Sequence, residues 1–231
     1  MLKKYLNNLI AIPSLFIFIY RGYKVQKQFM KETILLDLEG EKEHLEHQLT
    51  KKDHQKITFY YGLAVPVIGE ILGVLKGTKI TPSERKTLTY LGGLTGLFDD
   101  FFDEGNASEA HIKELLNNPK AEICNSSTEK LVVKFYLKAL EQRLSKRIMK
   151  SANLVYEAQV LSKKQKDEKL FTEEILEITK QKGGASILFY RSALAGAISD
   201  LENNLLFNIG LLGQLENDIF DIYKDAQQQI S

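Results

Sequence analysis

Apolar residues recur at steps of three and four along most of this 231-residue chain, and that spacing decides the predicted fold class. In TLTYLGGLTGLF (residues 87–98), the leucines at positions 88, 91 and 94 share one face of a helix. Residues 127–161 predict one or two long amphipathic helices. No stretch alternates apolar and polar residues between turn signals, so strands are not supported. The sequence therefore predicts an all-α fold, with roughly seven or eight helices in a single domain over residues 1–231.

Turn and capping residues indicate where several helices begin and end. Thr81-Pro82-Ser83-Glu84 combines a capping threonine with a proline at the first helical position, and Ser127-Thr128-Glu129 predicts a second start. Loops are predicted at Gly77-Thr78, Gly105-Asn106, Asn117-Asn118-Pro119 and Lys182-Gly183-Gly184. Glycines within apolar helices precede two acidic clusters, at positions 92, 93 and 96 and at positions 196, 210 and 213. These glycines allow close helix packing or leave room beside the acids for a bulky apolar ligand, and the two interpretations are compatible.

The balance of charge and the scarcity of cysteine exclude several classes of protein. Lysine and arginine number 31 against 30 aspartates and glutamates. A dedicated nucleic-acid binder usually carries a strong basic excess, so no nucleic acid is expected as a partner. The single Cys124 excludes an internal disulfide framework and fits a reducing compartment. Four scattered histidines do not form a zinc site, and any metal is therefore expected to have oxygen ligands.

An apolar segment near the N-terminus, LIAIPSLFIFIY (residues 9–20), has the composition of a signal-peptide core. It contains Pro13, is shorter than the roughly 20 residues of a membrane span, and is followed by basic residues in place of a small-residue cleavage pattern. Two interpretations remain, a buried or partner-facing segment and a shallow contact with a membrane surface. The predicted location is cytoplasmic, with peripheral membrane association as the alternative.

The segment LFDDFFDEG (residues 97–105) carries four acidic residues within six positions. On a helix, Asp99 and Asp103 share a face and Asp100 lies three residues from Asp103, so like charges repel one another. The phenylalanines between them indicate partial burial, which strengthens the repulsion. No lysine or arginine lies within a turn to relieve it.

A second cluster, LENDIFDIYKDAQQQ (residues 215–229), places Asn217, Asp221 and Asp225 at successive steps of four, in one stripe along about two helical turns. Carboxylate and amide oxygens suit Mg²⁺, which takes few protein ligands and completes its shell with water and phosphate oxygens. Two such stripes facing one another across a bundle would hold a diphosphate through bridging metal ions. Bound Mg²⁺, or Mn²⁺ as an alternative, would then cancel the repulsion within each cluster.

Two parts of the chain resemble the squalene/phytoene synthases of the class I isoprenoid synthase superfamily. TFYYGLAVPVIGEILGVLKGTKITPSERKTLTYLGGLTGLFDDFFDEG (residues 58–105) is similar to their first half, with a Phe-Tyr-Tyr segment, a helix start containing proline, glutamate and two basic residues, and a DDxxDE cluster. GLLGQLENDIFDIYKDAQQQ (residues 210–229) is similar to their second motif. The spacing of Asn217, Asp221 and Asp225 also resembles the second metal motif of class I terpene synthases, where a Ser or Thr and then a Glu usually occupy the last two positions. KQKGGASILFYRSALAGA (residues 180–197) is weakly similar to the segment before the second motif of trans-prenyl diphosphate synthases.

The resemblance implies an α-helical bundle of the isoprenoid synthase type around a central apolar cavity, in which Mg²⁺ helps remove diphosphate from an allylic prenyl substrate. Farnesyl or geranylgeranyl diphosphate would be the substrate, and cyclisation or condensation would follow. The implied metal ligands, all but Asp100 also implied to be catalytic, are Asp99, Asp100, Asp103, Asn217, Asp221 and Asp225. Candidate diphosphate contacts, for each of which an ordinary surface cation is the favoured interpretation, are Lys182, Arg191 and Lys224. Candidates for the cavity wall or for plain core packing are Tyr60, Tyr61, Phe98 and Phe102.

Departures from the family pattern leave alternatives open. No arginine pair follows the first motif, Gly62-Leu63-Ala64 stands where an arginine usually follows the tyrosine pair, and Phe220 replaces a common arginine before the second aspartate. The sequence ends six residues after Asp225, so either the bundle is minimal or a partner chain, such as the second copy in a homodimer, completes the cavity. The alternative function is a non-catalytic protein that binds a prenyl lipid or acts in an assembly. An iron or manganese carboxylate bundle is disfavoured, because Glu41 and His44 form the one Glu-x-x-His pair.

Overall fold

The computed structural model describes residues 2–36, 51–103, 107–141, 144–166 and 170–227, and of residues 2–11, 52–53, 59–61, 99–100, 102–103, 166 and 221–227 the backbone alone. The regular elements in these ranges are all helical, which confirms the all-α prediction. The α-helices are α1 (Leu2–Lys31), α2 (Lys51–Gln55), α3 (Gly62–Leu75), α4 (Pro82–Asp103), α5 (Glu109–Asn117), α6 (Ser127–Leu140), α7 (Ser145–Ser162), α8 (Thr172–Ser192) and α9 (Asp200–Gln227). A π-helical turn, Lys56–Tyr61, connects α2 to α3, and 3-10 turns occupy Ala121–Ile123 and Lys163–Lys166.

The chain forms two compact units. The first unit comprises Met1–Asp100 and Ala121–Ala139, and the second comprises Phe101–Lys120 and Leu140–Ser231. The interpretation of residues 1–231 as a single domain stays a prediction.

The core of the first unit contains the leucines that the helical spacing predicted. The leucines at positions 88, 91 and 94 of α4 are all buried, so the predicted apolar face is a packed face. Gly93 is buried beside them, and a methyl group there would overlap the Ile34 side chain and lie 3.3 Å from the Phe135 ring. Close helix packing therefore accounts for this glycine, and the position leaves no room for a ligand.

A buried polar network joins α1, α3 and α4 within the first unit. The fully buried Gln26 donates from Nε2 to the Gly62 carbonyl oxygen and to Thr89 Oγ1, both at 2.9 Å. Gln26 Oε1 accepts a hydrogen bond from Arg85 Nη1 at 3.2 Å, and Arg85 also forms an ion pair with Glu70. Both polar atoms of the Gln26 side chain thus have partners, as a buried amide requires. The network holds the start of α3 against α1 and α4.

In the second unit, α8 and α9 form an antiparallel pair. Gly183 lies against Gly210, and eight positions further along α8 the Arg191 side chain bonds to Glu202 of α9. Residue numbers therefore increase along α8 in the direction in which they decrease along α9. The two glycines bring the helix backbones into direct contact, because neither carries a side chain to hold them apart.

The prediction of a loop at Lys182-Gly183-Gly184 is wrong, because these residues lie inside α8. A β-carbon at position 183 would overlap the Gly210 carbonyl group, and one at position 184 would overlap the Phe207 ring. The glycine pair thus permits a close helix crossing. The contacting residues lie more than twenty positions away, so the residues next to the glycine pair do not show whether it forms a turn or a helix crossing.

Other boundaries follow the predicted signals. Helix α4 begins at Pro82, where Thr81 Oγ1 accepts from the Glu84 N–H at 3.2 Å and Glu84 Oε2 accepts from the Thr81 N–H at 2.7 Å. This reciprocal pair is a capping box. The starts and loops predicted near Gly77, Asn117 and Ser127 are also confirmed, and the stretch predicted as one or two helices contains α6 and α7. The loop predicted at Gly105-Asn106 lies outside the described residues.

Candidate functional site

Residues 97–103 of the first acidic segment form the C-terminal end of α4, which runs through Asp103. The backbone therefore has the helical geometry that the motif spacing assumed, with positions 99 and 103 one turn apart. The side chains of Asp99, Asp100, Asp103 and Phe102 lie outside the described residues. Phe98 is buried, which agrees with both of its interpretations, cavity wall and core. The acidic positions thus directly follow a buried apolar stretch of helix.

Residues 215–227 of the second acidic segment lie within α9, a helix of 28 residues that continues to Gln227. Asn217, Asp221 and Asp225 are therefore separated by single helical turns, as the predicted stripe requires. The Asn217 side chain is exposed, and those of the two aspartates lie outside the described residues. Asp218, beside the stripe, accepts a hydrogen bond from a glutamine one turn earlier at 2.7 Å.

The register of the α8–α9 pair relates this stripe to the start of α8. The contacts between positions 183 and 210 and between positions 191 and 202 place residue 217 opposite about residue 176, in the second turn of α8. Positions 221 and 225 then extend to and beyond the first turn of α8. The stripe therefore lies at the end of the helix pair remote from the loop that joins α8 to α9.

The three candidate diphosphate contacts have different surroundings. Lys182 is half-buried within α8, and the Lys224 side chain lies outside the described residues. Arg191 is fully buried, so its interpretation as a surface cation is wrong. Its Nε donates to Glu202 Oε1 at 2.6 Å and its Nη1 donates to the Leu194 carbonyl oxygen at 3.0 Å. These partners explain the position of Arg191 without a ligand, and its contact with diphosphate stays a prediction.

A second arginine, Arg147 of α7, holds the end of α8. Its Nε donates to the Ser192 carbonyl oxygen at 3.0 Å, its Nη1 to that of Gly196 at 2.7 Å, and its Nη2 to that of Leu194. The last carbonyl groups of a helix lack helical donors, and the helix dipole favours a cation there. Gly196 lies in the loop after α8 with a φ of 85°, so the prediction that it lies inside an apolar helix is wrong.

The tyrosine pair of the Phe-Tyr-Tyr segment lies in the π-helical turn between α2 and α3. Tyr60 and Tyr61 are described by their backbone alone, so their place in a cavity wall stays a prediction. The turn closes with a hydrogen bond from the Gly62 N–H to the Ile57 carbonyl oxygen, and a β-carbon at position 62 would overlap that carbonyl. Single π-helical turns occur frequently at functional sites.

Sequence reasoning missed the ion pair between Arg85 and Glu70. Glu70 is the one charged residue of α3, GLAVPVIGEILGVL, and both partners are largely buried, with side-chain exposures of 11% for Arg85 and 16% for Glu70. A single charge in an otherwise apolar helix is the signal that could have indicated a buried partner, because carboxylates are seldom buried unpaired. The pair supports the Gln26 network and therefore has a structural role.

Tyr136 of α6 contributes a buried hydroxyl group to the first unit. The residue is 2% exposed, and its Oη has no hydrogen-bond partner among the described residues. Burial raises the pKa of the Tyr136 phenol far above its ordinary value. A buried hydroxyl without a partner costs free energy, so such a group is a natural contact for a bound water or ligand.

The donor chemistry of the two motifs fits Mg²⁺, because aspartate and asparagine supply hard oxygen ligands. Among the residues whose side chains are described, no three His, Cys, Asp or Glu residues are grouped to hold a metal ion. The aspartates of the two motifs are not among those side chains. An open groove of about 560 Å³ in the first unit, with Lys24 of α1 and Arg85 of α4 in its wall, includes none of the predicted site residues.

Comparison with protein-family models, with curated proteins and with solved structures gave no match. The resemblance to isoprenoid synthases therefore rests on the sequence motifs alone. Within the described residues, one helical run, Lys56–Leu75, is apolar and long enough to cross a membrane, but 53% of its most apolar window is buried, as in the core helix of a folded domain.

Proposed function

We propose that this protein is a Mg²⁺-dependent class I isoprenoid synthase, which ionises an allylic prenyl diphosphate to a carbocation that is then cyclised or condensed. The observation that carries the proposal is that both acidic motifs lie in helices. Positions 99 and 103 occupy the end of α4, and positions 217, 221 and 225 occupy consecutive turns of α9. Acidic side chains one turn apart destabilise a helix unless cations neutralise them. Bound metal ions would supply that neutralisation.

In this proposal the oxygen atoms of Asp99, Asp100, Asp103, Asn217, Asp221 and Asp225 hold Mg²⁺. The bound ions would supply Lewis-acid assistance to departure of the diphosphate. Lys182 and Lys224 would contact the diphosphate and neutralise its developing charge. Phe98 and the other aromatic candidates would exclude water and present ring faces to the positively charged hydrocarbon.

The test is pyrophosphate release from farnesyl and geranylgeranyl diphosphate, measured with Mg²⁺ and with a chelator, together with identification of the hydrocarbon product. Metal-dependent release supports the proposal, and the carbon count of the product separates cyclisation from condensation. A folded sample that binds either substrate but releases no pyrophosphate would instead support the alternative, a non-catalytic prenyl-lipid-binding protein.

Two variants and a matched control connect the activity to the motifs. Asp99→Asn and Asn217→Ala should each lower the rate at least about 100-fold, the typical effect of removing one electrostatic contact to a developing anion. Glu216→Gln is the control, because Glu216 is exposed and adjacent to Asn217 but turned about 100° from the stripe. Full activity in both motif variants, with unchanged circular dichroism, would refute the assignment of these residues.

A further inference from the structure

The first turns of α1 whose side chains are described are mostly apolar and exposed on every side. All six residues from position 12 to position 17 are exposed, and six consecutive helical residues cover the whole circumference of a helix. They include Ile12, Leu15, Phe16 and Ile17, and Phe16 is 68% exposed. A helix that is apolar all round is normally buried in protein or in lipid. Within the described part of the chain, no other segment buries these turns.

The C-terminal half of the same helix is held firmly by the first unit. Gly22, Gln26 and Met30 recur at steps of four and are buried, and Gln26 belongs to the polar network with Gly62 and Thr89. The helix thus changes character near Tyr20, from an exposed apolar part to a part with one packed face. The exposed apolar part therefore extends from a part of the helix that is packed into the first unit.

Basic side chains follow the apolar part directly. Arg21, Lys24, Lys27 and Lys31 are all exposed, and residues 1–31 contain no Asp or Glu. Lys24 Nζ lies 4.8 Å from the centre of the Tyr20 ring, which places a cation and an aromatic ring together at the boundary between the two parts. Tyrosine and basic residues at one end of an apolar segment are typical of a membrane–water interface.

The length of the apolar part limits how it can meet a bilayer. The run of apolar residues from position 9 to position 20 rises about 18 Å as a helix, whereas the hydrocarbon core of a bilayer is about 30 Å thick. The segment cannot cross the core. Lys3 and Lys4 precede it in the same helix, so end-on insertion would also place two ammonium groups in hydrocarbon, and the segment instead fits a position along the surface of one leaflet. The basic residues would then lie at the level of the lipid headgroups.

We propose that the apolar turns of α1 from Ile12 through Tyr20 lie in the boundary between headgroups and acyl chains of one leaflet of an anionic lipid bilayer, with Arg21, Lys24, Lys27 and Lys31 against the headgroups. Charge complementarity selects anionic lipid as the occupant, because the described side chains of the helix expose four cations and no acid precedes Glu32 in the sequence. The proposal does not depend on the proposed catalytic function.

The absence of tryptophan from this chain provides a site-specific test. Phe16→Trp introduces a single indole fluorophore at an exposed apolar position of α1, and Leu201→Trp introduces one at the more exposed Leu201 of α9. With vesicles of phosphatidylcholine and phosphatidylglycerol, the indole emission of the Phe16→Trp variant should shift to shorter wavelength and be quenched by brominated acyl chains. The emission of the Leu201→Trp variant should not change. No shift in the Phe16→Trp variant, or equal shifts in both variants, would overturn the proposal.

Co-sedimentation of the unmodified chain with the same vesicles separates the apolar and electrostatic contributions. Phe16→Ser should weaken the partition coefficient about 30-fold, from the loss of a buried aromatic side chain. The double change Lys24→Gln and Lys27→Gln should weaken it about 25-fold, at roughly fivefold per cation, and Leu201→Ser should leave it unchanged. Equal binding to vesicles of pure phosphatidylcholine would overturn the anionic requirement. If the chain does not bind vesicles but forms dimers that depend on Phe16, the proposal is overturned and a second copy of the chain is the occupant.

Discussion

The contact between Gly183 and Gly210 predicts that Gly183→Ala is destabilising, although alanine is the better helix former. At an open helix position, alanine stabilises relative to glycine by about 1 kcal/mol. At position 183 the added methyl group would overlap the Gly210 carbonyl group, well inside the 3.4 Å at which ordinary contact begins. Backbone atoms cannot rotate away as a flexible side chain can, so the two helices must separate. Overpacking costs about 1–3 kcal/mol, and we expect the upper part of that range to apply here. The net loss is then about 2 kcal/mol, or a Tm lower by about 4–8 °C.

Gly213→Ala is the matched control, because Gly213 lies in the partner helix α9 and no described atom would lie within 4 Å of its added methyl group. We expect this variant to be more stable than the natural chain by up to about 1 kcal/mol. Thermal and urea unfolding, followed by circular dichroism at 222 nm, measures both changes. If Gly183→Ala is as stable as the natural chain, or if both variants shift in the same direction, the close crossing of α8 and α9 is refuted.

Two further predictions concern buried polar groups. Tyr136→Phe should leave stability unchanged or raise it by up to about 1 kcal/mol, because the hydroxyl has no described partner. The Tyr136 pKa is raised from its ordinary 10.0, so the folded state keeps this proton longer than the unfolded chain, and the associated stability is full below pH 10 and falls above it. Urea unfolding across about pH 9–11 should therefore show a shallower alkaline decline in Tyr136→Phe, and identical declines would contradict this account. Arg191→Met should cost about 3 kcal/mol, because Glu202 loses a fully buried partner. Lys163→Met breaks the exposed pair with Glu109 and should cost less than about 1 kcal/mol in the same denaturation assay. Equal losses in these two variants would be inconsistent with the burial of Arg191.

The features that the sequence predicted well are those decided by neighbouring residues. The start of α4 at Pro82 depends on Thr81 and Glu84, which lie within one turn, and the end of α5 depends on the Asn117-Asn118-Pro119 signal. The buried leucines of α4 follow from spacing alone. Such features need no knowledge of the tertiary fold.

The features that the sequence did not predict depend on distant partners. Gly183 and Gly184 resemble a turn until Gly210 and Phe207 are placed against them. Arg191 resembles a surface cation, because its partner Glu202 lies beyond the loop after α8. The helical setting of both acidic motifs of the candidate site could be predicted from their spacing. The Gln26 network, which supports the first unit, could not be predicted, because its partners are distant in sequence.

The π-helical turn at Lys56–Tyr61 has a consequence for how related chains can differ in length. A π turn contains one residue more than the α-helical turn it replaces, so deletion of one residue there can restore ordinary helical bonding. Each π-helical residue turns the chain by less than the 100° of an α-helical residue, so five α-helical residues turn it by nearly the same total angle as the six residues present. Such a deletion would therefore leave α2 and α3 intact and in nearly the same relative orientation. We therefore expect natural insertions and deletions of a single residue to accumulate between Gln55 and Gly62. An alignment that forbids gaps inside helices would misplace the Phe-Tyr-Tyr segment by one position.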